Sequence, residues 1–392
     1  MAANYQFDQI VNRKNTRSFK WDHAETMFGA KDLLPLWVAD MDFLTVPAIT
    51  QRLVERAQLG SYGYSVRTDS YHEAIVSWYR RRHEWTIQND WIVDSPSVVT
   101  SLSLAVQLFS EPGDTVVIQT PVYYPFYEVI RGNDRVVGAS SLRVVNNRYE
   151  MDFDGMEAMF QAGAKLLLLC SPHNPGGRVW NEDELRRLGD LCLRYGVTVV
   201  SDEIHADLVH SGNLHTPFAS LSQELADITI TCLSATKTFN LPGLHTSFMV
   251  ISNASSRRRM DQRLKLLGLR NANHFAEDAV ETAFNEGEAW LDELLVYIEG
   301  NIAFASQYLA QHLPQVKTMM PDATYLLWVD CRSLGLDSRG LKELMFHQAK
   351  VAFNEGSGFG EDGAGWLRIN LACPRSLLAQ ALEQFCEAAR KL

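Results

Sequence analysis

Between residues 115 and 243 four short apolar runs each empty into a polar turn. The runs are 115–119, 165–170, 197–200 and 228–233, and their outlets read TPVYYPF (120–126), SPHNPGG (171–177), SDEIHAD (201–207) and SATKTFNLPG (234–243). Helical segments are expected around them, at 97–110, 123–132 and 181–195. The last has an acidic first turn, leucines at 185, 188 and 191, and Gly196 as its stop. The wholly apolar 197–200 has the pattern of a strand covered on both faces. Strands and helices alternating in this way predict a doubly wound α/β sheet, in which ligands sit at the carboxyl ends of the strands. The four outlets are therefore expected to meet at one place.

After residue 255 the pattern changes. Residues 256–313 read as one long helical stretch, followed by strands at 324–329 and 366–371 and helices at 338–350 and near 375–391. That is a smaller α+β module. The extended WVADMDF run in the first 50 residues has no local partner and is expected to pack with it. The domain boundaries are placed at 1–50, 51–285 and 286–392.

Bulk properties remove several function classes. A net charge of −11 argues against a nucleic-acid or anionic-membrane surface. The basic triplets 80–82 and 257–259 have acidic neighbours and read as solvated helix faces. Six scattered cysteines with no C-x-x-C pair indicate a reduced compartment. The polar N-terminus resembles no signal peptide, and no apolar run reaches membrane-spanning length; a cytoplasmic location is expected. The eleven histidines show no metal-ligand spacing. GSGFGEDG (356–363) neither leaves a strand nor opens a helix, so it is not read as a dinucleotide-binding loop.

The outlets bring together Lys237, Asp202, Asn174 and Tyr123. A lysine with a carboxylate and a flat aromatic supplies what pyridoxal 5'-phosphate chemistry requires: a Schiff-base amine, a partner for the pyridinium nitrogen and a stacking face. Lys237 alone would read as a surface lysine; the apolar ITITCL before it and Ser234 beside it argue for burial and activation. Asp202 is either a cap or ion-pair residue, or a buried carboxylate that needs a cation. Asn174 lies in strong turn chemistry and has an amide to offer a ring oxygen. Tyr123 is a stacking ring or a core aromatic. Residues 97–100 open a helix whose N–H groups suit a phosphate, and Ser234 has a hydroxyl to donate to one.

LWVADMDF (36–43), YGYS (62–65), TPVYYPF, SPHNPGGRVW (171–180), SDEIHADL (201–208), TKTFNLPGL (236–244) and LRINLACPR (367–375) occur in one order. With them the chain resembles the fold-type-I pyridoxal-phosphate enzymes, and within these the MalY/PatB-type cystathionine β-lyases. The resemblance implies a large domain with a mainly parallel seven-stranded sheet and a smaller α+β domain. It implies Lys237 as the covalent lysine and catalytic base, with Tyr123 stacked on the ring and assisting. Asp202 would meet the ring nitrogen, with His205 near it, and Asn174 the ring oxygen. Ser234, Val98 and Val99 would bind the phosphate. Arg368, Asn174 and Ala39 would hold the substrate, with 37–42 closing over it. Tyr62 and Tyr64 would reach the site of a second copy, in a homodimer with shared sites acting on a sulfur amino acid. Three positions depart from the wider superfamily: His205 where many members have tyrosine, His245 where they have arginine, and Ser97 where glycine is common. Carbon–sulfur lysis, transamination and a non-catalytic regulatory role all remain compatible with these residues.

Overall fold

The computed structural model describes residues 5–392. Its centre is a seven-stranded sheet built from β1 (Ile92–Ser95), β2 (Thr115–Thr120), β3 (Val136–Ser141), β4 (Leu166–Cys170), β5 (Thr198–Asp202), β6 (Thr229–Leu233) and β7 (Ser247–Val250). The spatial order is β1-β7-β6-β5-β4-β2-β3. β7 runs antiparallel to both neighbours and the other pairs are parallel. All four apolar runs are strands of this sheet. β1, β3 and β7 were not legible as strands: β1 and β7 have four residues each, and β3 lies at an edge with alternate residues exposed.

Both faces are covered, as the continuous apolar strands require. Leu168, Val200 and Ile230 pack with Leu102 and Ala105 of the helix Val98–Phe109 on one face. Leu167, Leu169 and Val199 pack with Leu185 and Leu188 on the other. Those leucines belong to the helix Glu182–Tyr195, which starts in a reciprocal capping box between Asn181 and Glu184 and ends at Gly196 in the left-handed conformation. Leu188 is fully buried. Leu188→Ala is expected to cost about 2–5 kcal/mol, seen as a lower midpoint in denaturant unfolding of the cofactor-free protein.

A four-stranded antiparallel sheet stands apart from the first, made of β8 (Lys317–Met319), β9 (Leu326–Asp330), β10 (Asn354–Glu355) and β11 (Trp366–Asn370), in the order β8-β9-β11-β10. The N-terminal strand Leu34–Pro35 pairs in parallel with Val351–Ala352 beside it.

Two expectations are corrected. The stretch 256–313 is three helices, Ala254–Leu266, Ala276–Glu286 and Glu288–His312. The first break follows Gly268, which is left-handed. The second falls at Gly287, where a Cβ would lie 2.4 Å from the Phe239 ring; close packing fixes glycine there. The segment 356–363 does leave a strand, β10, but it forms two short 3₁₀ turns and opens no α-helix. Gly356 and Gly363 approach so closely that a Cβ on either would meet the other's carbonyl oxygen at 2.0–2.1 Å.

Candidate active site

The turn after β6 carries Lys237. Ser234 caps the short helix Ala235–Thr238 by accepting the Thr236 N–H. Beneath it, Thr238 donates to Asp207 at 2.8 Å, and the same carboxylate accepts Trp78 Nε1 at 2.9 Å and faces His83 Nε2 at 2.8 Å. The turn is thereby pinned to the helix Asp69–His83. Lys237 Nζ donates to the Ala39 carbonyl at 2.5 Å. Burial pulls its amine down to about 8; Asp40 and Asp202 oppose that pull and Arg368 adds to it. A lysine held there is partly neutral near physiological pH and can act as nucleophile or base.

Lys237 faces a cavity of about 210 Å³. Ala39, Ser97, Val98, Val99, Tyr123, Asn174, Asp202, His205 and Ser234 also line it. Eight of the expected site residues thus meet Lys237 around one space, with Ser97 of the helix opening beside them. Asp202 ends β5, and the sheet register sets it between Cys170 and Cys232. Its carboxylate accepts one N–H, from Ile204 at 3.2 Å. Among the described residues no cation lies within ion-pair distance of it. Burial therefore lifts it to about 7, against the smaller effect of that N–H. His205 is buried and held neutral, its pKa pulled down to about 3 by burial and by Lys237 and Arg368; its Nδ1 has no hydrogen-bond partner.

Val98 and Val99 open the twelve-residue helix Val98–Phe109 and present N–H groups that a helix leaves unpaired. Ser234 lines the cavity with its hydroxyl engaged within the turn. Its hydroxyl lies 2.7 Å from the Thr246 carbonyl, which takes its proton. The 2.8 Å contact with Thr236 Oγ1 is then donated by Thr236 to Ser234 Oγ, so both hydroxyl protons of the turn are engaged.

Arg368 sits on β11, buried, with no carboxylate partner among the described residues. Nη1 donates to Asn174 Oδ1 at 3.0 Å, and Nη2 to Asn354 Oδ1 at 2.7 Å and Trp37 O at 2.9 Å. Its Nε has no partner. Burial lowers even this guanidinium, to about 10. The bond to Asn174 fixes that amide with Oδ1 towards Arg368, leaving Nδ2 as its free end. The site therefore offers a reactive amine, a carboxylate seeking a cation, an anion-binding helix end and a fork seeking a carboxylate.

The family model for class I and II aminotransferases matches residues 31–385. The chain belongs to the class I and II aminotransferase family. Cystathionine β-lyase PatB of Bacillus subtilis is 44% identical over 379 residues, 96% of this chain and 98% of that one. Among solved structures, cystalysin from Treponema denticola, which contains pyridoxal 5'-phosphate, is 36% identical with a TM-score of 0.96. It aligns with 99% of this chain over its full length. The pyridoxal-phosphate-bound C–S lyase from Staphylococcus hominis is 31% identical with a TM-score of 0.93, over 99% of this chain and 98% of that one.

In this member of the aminotransferase family three expected residues do not line the cavity: Arg368, which borders it through its bond to Asn174, and Tyr62 and Tyr64, which stand away from it. Tyr64 is fully exposed and Tyr62 63% exposed, on the strandless link between two helices. Other residues at the site were not anticipated. Tyr325 donates to the Ala39 carbonyl at 3.1 Å. Asn370 and Asn240 hold the backbone on either side of it. Asn370 had a sequence signal, as an uncharged polar residue in the otherwise apolar INLAC. Tyr325, inside an apolar run, had none.

Proposed function

We propose that the protein is a pyridoxal-phosphate-dependent carbon–sulfur β-lyase, cleaving cystathionine or related cysteine S-conjugates to pyruvate, ammonia and a thiol. The observation that carries it is a single cavity lined by Lys237, its pKa lowered by burial, by a buried Asp202 without a cation partner among the described residues, and by Tyr123 and Asn174. The donor set fits the cofactor. Asp202 would meet a protonated ring nitrogen, Asn174 Nδ2 the ring oxygen and Tyr123 the ring face. The helix end at Val98 and Val99, with Ser234 beside it, would receive the phosphate. Bound there, the cofactor supplies an electron-withdrawing ring that stabilises negative charge left at the substrate Cα.

The protein's own groups do the rest. Arg368 takes the substrate carboxylate in a two-bond fork, with Asn174 beside it. Lys237 Nζ receives the Cα proton. The sulfur leaves as thiolate from Cβ with little need of an acid, since thiols have a pKa near 8.5. Neutral His205, which also lines the cavity, adds no charge that would compete with Asp202.

Relatives named as cystathionine β-lyases favour this outcome over transamination, which needs the same residues. Incubation with cystathionine and no keto acid separates the two. Continuous release of pyruvate and thiol is expected; a stop after one turnover would make the protein an aminotransferase. Within the same reading, exposed Tyr62 and Tyr64 complete the site of a second copy in a homodimer. The boundaries 1–50, 51–285 and 286–392 divide an N-terminal segment, a large cofactor-binding domain and a small domain, and the pairing of Leu34–Pro35 with Val351–Ala352 supports packing of the first with the last. Six buried free cysteines support a cytoplasmic location.

A further inference from the structure

From Trp37 to Met41 every backbone carbonyl is held by a side chain from elsewhere in the chain. Trp37 O accepts from Arg368, and Val38 O and Asp40 O from Asn370 at 2.5 and 2.6 Å. Ala39 O accepts from Lys237 and Tyr325. Met41 O accepts from Asn240 Nδ2 and Arg13 Nη1, each at 3.0 Å. A segment with no regular structure is thus fixed residue by residue.

The side chains of the same segment enter a cluster of four charges. Arg13 pairs with Asp40 at 2.6 Å and Asp42 at 2.8 Å; Lys20 pairs with Asp42 at 2.6 Å and Asp40 at 3.4 Å. Lys20 is fully buried. Burial works against its charge, and Asp42 and Asp40 more than restore it. Trp21 Nε1 adds a third donor to Asp42 at 2.7 Å. Buried ion clusters of this kind contribute little stability over apolar side chains of the same volume. None of the four lines the cavity, yet Asp40 adjoins Ala39, the residue that holds the Lys237 amine.

We propose that Arg13 and Lys20 are positioning residues for Lys237: by gripping Asp40 and Asp42 they fix the Ala39 carbonyl, which aims the lysine amine into the cavity. The inference rests on the reading of Lys237 as the covalent lysine and base. A neutral amine that donates one hydrogen to Ala39 O turns its lone pair away from that oxygen. If the carbonyl is free to shift, the long side chain redistributes among its staggered rotamers and the fraction aimed for attack falls. The other charged and titratable groups facing the amine, namely Asp202, Arg368, His205, Tyr123 and Tyr325, stay in place when the cluster is cut.

The test uses cofactor-free protein and two probes. Pyridoxal 5'-phosphate reports covalent capture by its visible band. Pyridoxine 5'-phosphate, with an alcohol in place of the aldehyde, reports non-covalent binding alone. In Arg13→Met and Lys20→Met, capture at saturating pyridoxal phosphate is expected to slow about tenfold. Pyridoxine phosphate affinity stays within about threefold, and Arg13→Lys, which keeps one contact, recovers part of the rate. Capture at the parental rate in Arg13→Met overturns the proposal, and so does a parallel loss of both signals, which would mean general disorder of the site. Arg13 is partly exposed, so its variant decides the question if Lys20→Met does not fold. A parent protein that captures nothing would instead refute the role of Lys237.

Discussion

Lys237→Ala is expected to fold like the parent, show no visible cofactor band and lose turnover by at least about 10⁴-fold. The fold survives because the side chain makes one hydrogen bond, to Ala39 O, and Tyr325 still satisfies that carbonyl. Lys237→Arg is the sharper variant. It keeps a cation and a donor, but a guanidinium does not give up its proton at neutral pH, so it should be equally inactive. In the cofactor-free parent, covalent capture of pyridoxal phosphate should slow with acid, through about pH 8, where burial has placed the amine, because only the neutral amine attacks. Linkage gives a second readout in cofactor-free protein. The native amine titrates near 8 and the unfolded one near 10.5. Between those values the unfolded state binds more protons, so stability rises with pH. That rise should vanish in Lys237→Ala. A normal visible band in either variant would remove Lys237 from the mechanism.

The residues legible in the sequence were those whose signal is local. An apolar run emptying into a short polar turn announced Asp202, two residues past Val200, and Lys237, four past Leu233, because the end of a buried strand is where polar groups meet a ligand. Capping chemistry announced the helix at 182–195 in the same way. What stayed hidden depends on distant pairing. β1 and β7 are four residues long and become strands only because each finds a neighbour far away in sequence. The breaks in 256–313 come from Gly268, whose left-handed backbone is invisible in a Leu- and Ala-rich pattern, and from Gly287, which yields to Phe239 from another element. The carbonyl-by-carbonyl hold on 37–41 draws on residues 13, 20 (Lys20 Nζ to Asp40 O at 3.3 Å), 237, 240, 325, 368 and 370. Only the folded chain brings those together.

Arg368→Leu is expected to raise KM by about 10²–10³-fold, the cost of truncating one partner of a buried charged contact, with a smaller fall in kcat. A carboxylate held equally in substrate and transition state contributes mainly to KM. Arg368→Lys should lie between, because a point charge cannot reproduce the fork that also reaches Asn174, Asn354 and Trp37. Stability should move the other way. The guanidinium is buried with no anion among the described residues and with Nε unpaired, and burial already drags it down to about 10. A leucine there removes an uncompensated charge, so thermal unfolding of cofactor-free Arg368→Leu should begin no lower than in the parent, despite three lost hydrogen bonds. A large KM increase with undiminished stability marks a group kept for substrate, at a standing cost to the fold. If KM stays at the parental value, the carboxylate is held elsewhere; if stability collapses instead, Arg368 is a structural tie between β11 and the 37–41 segment and not a clamp.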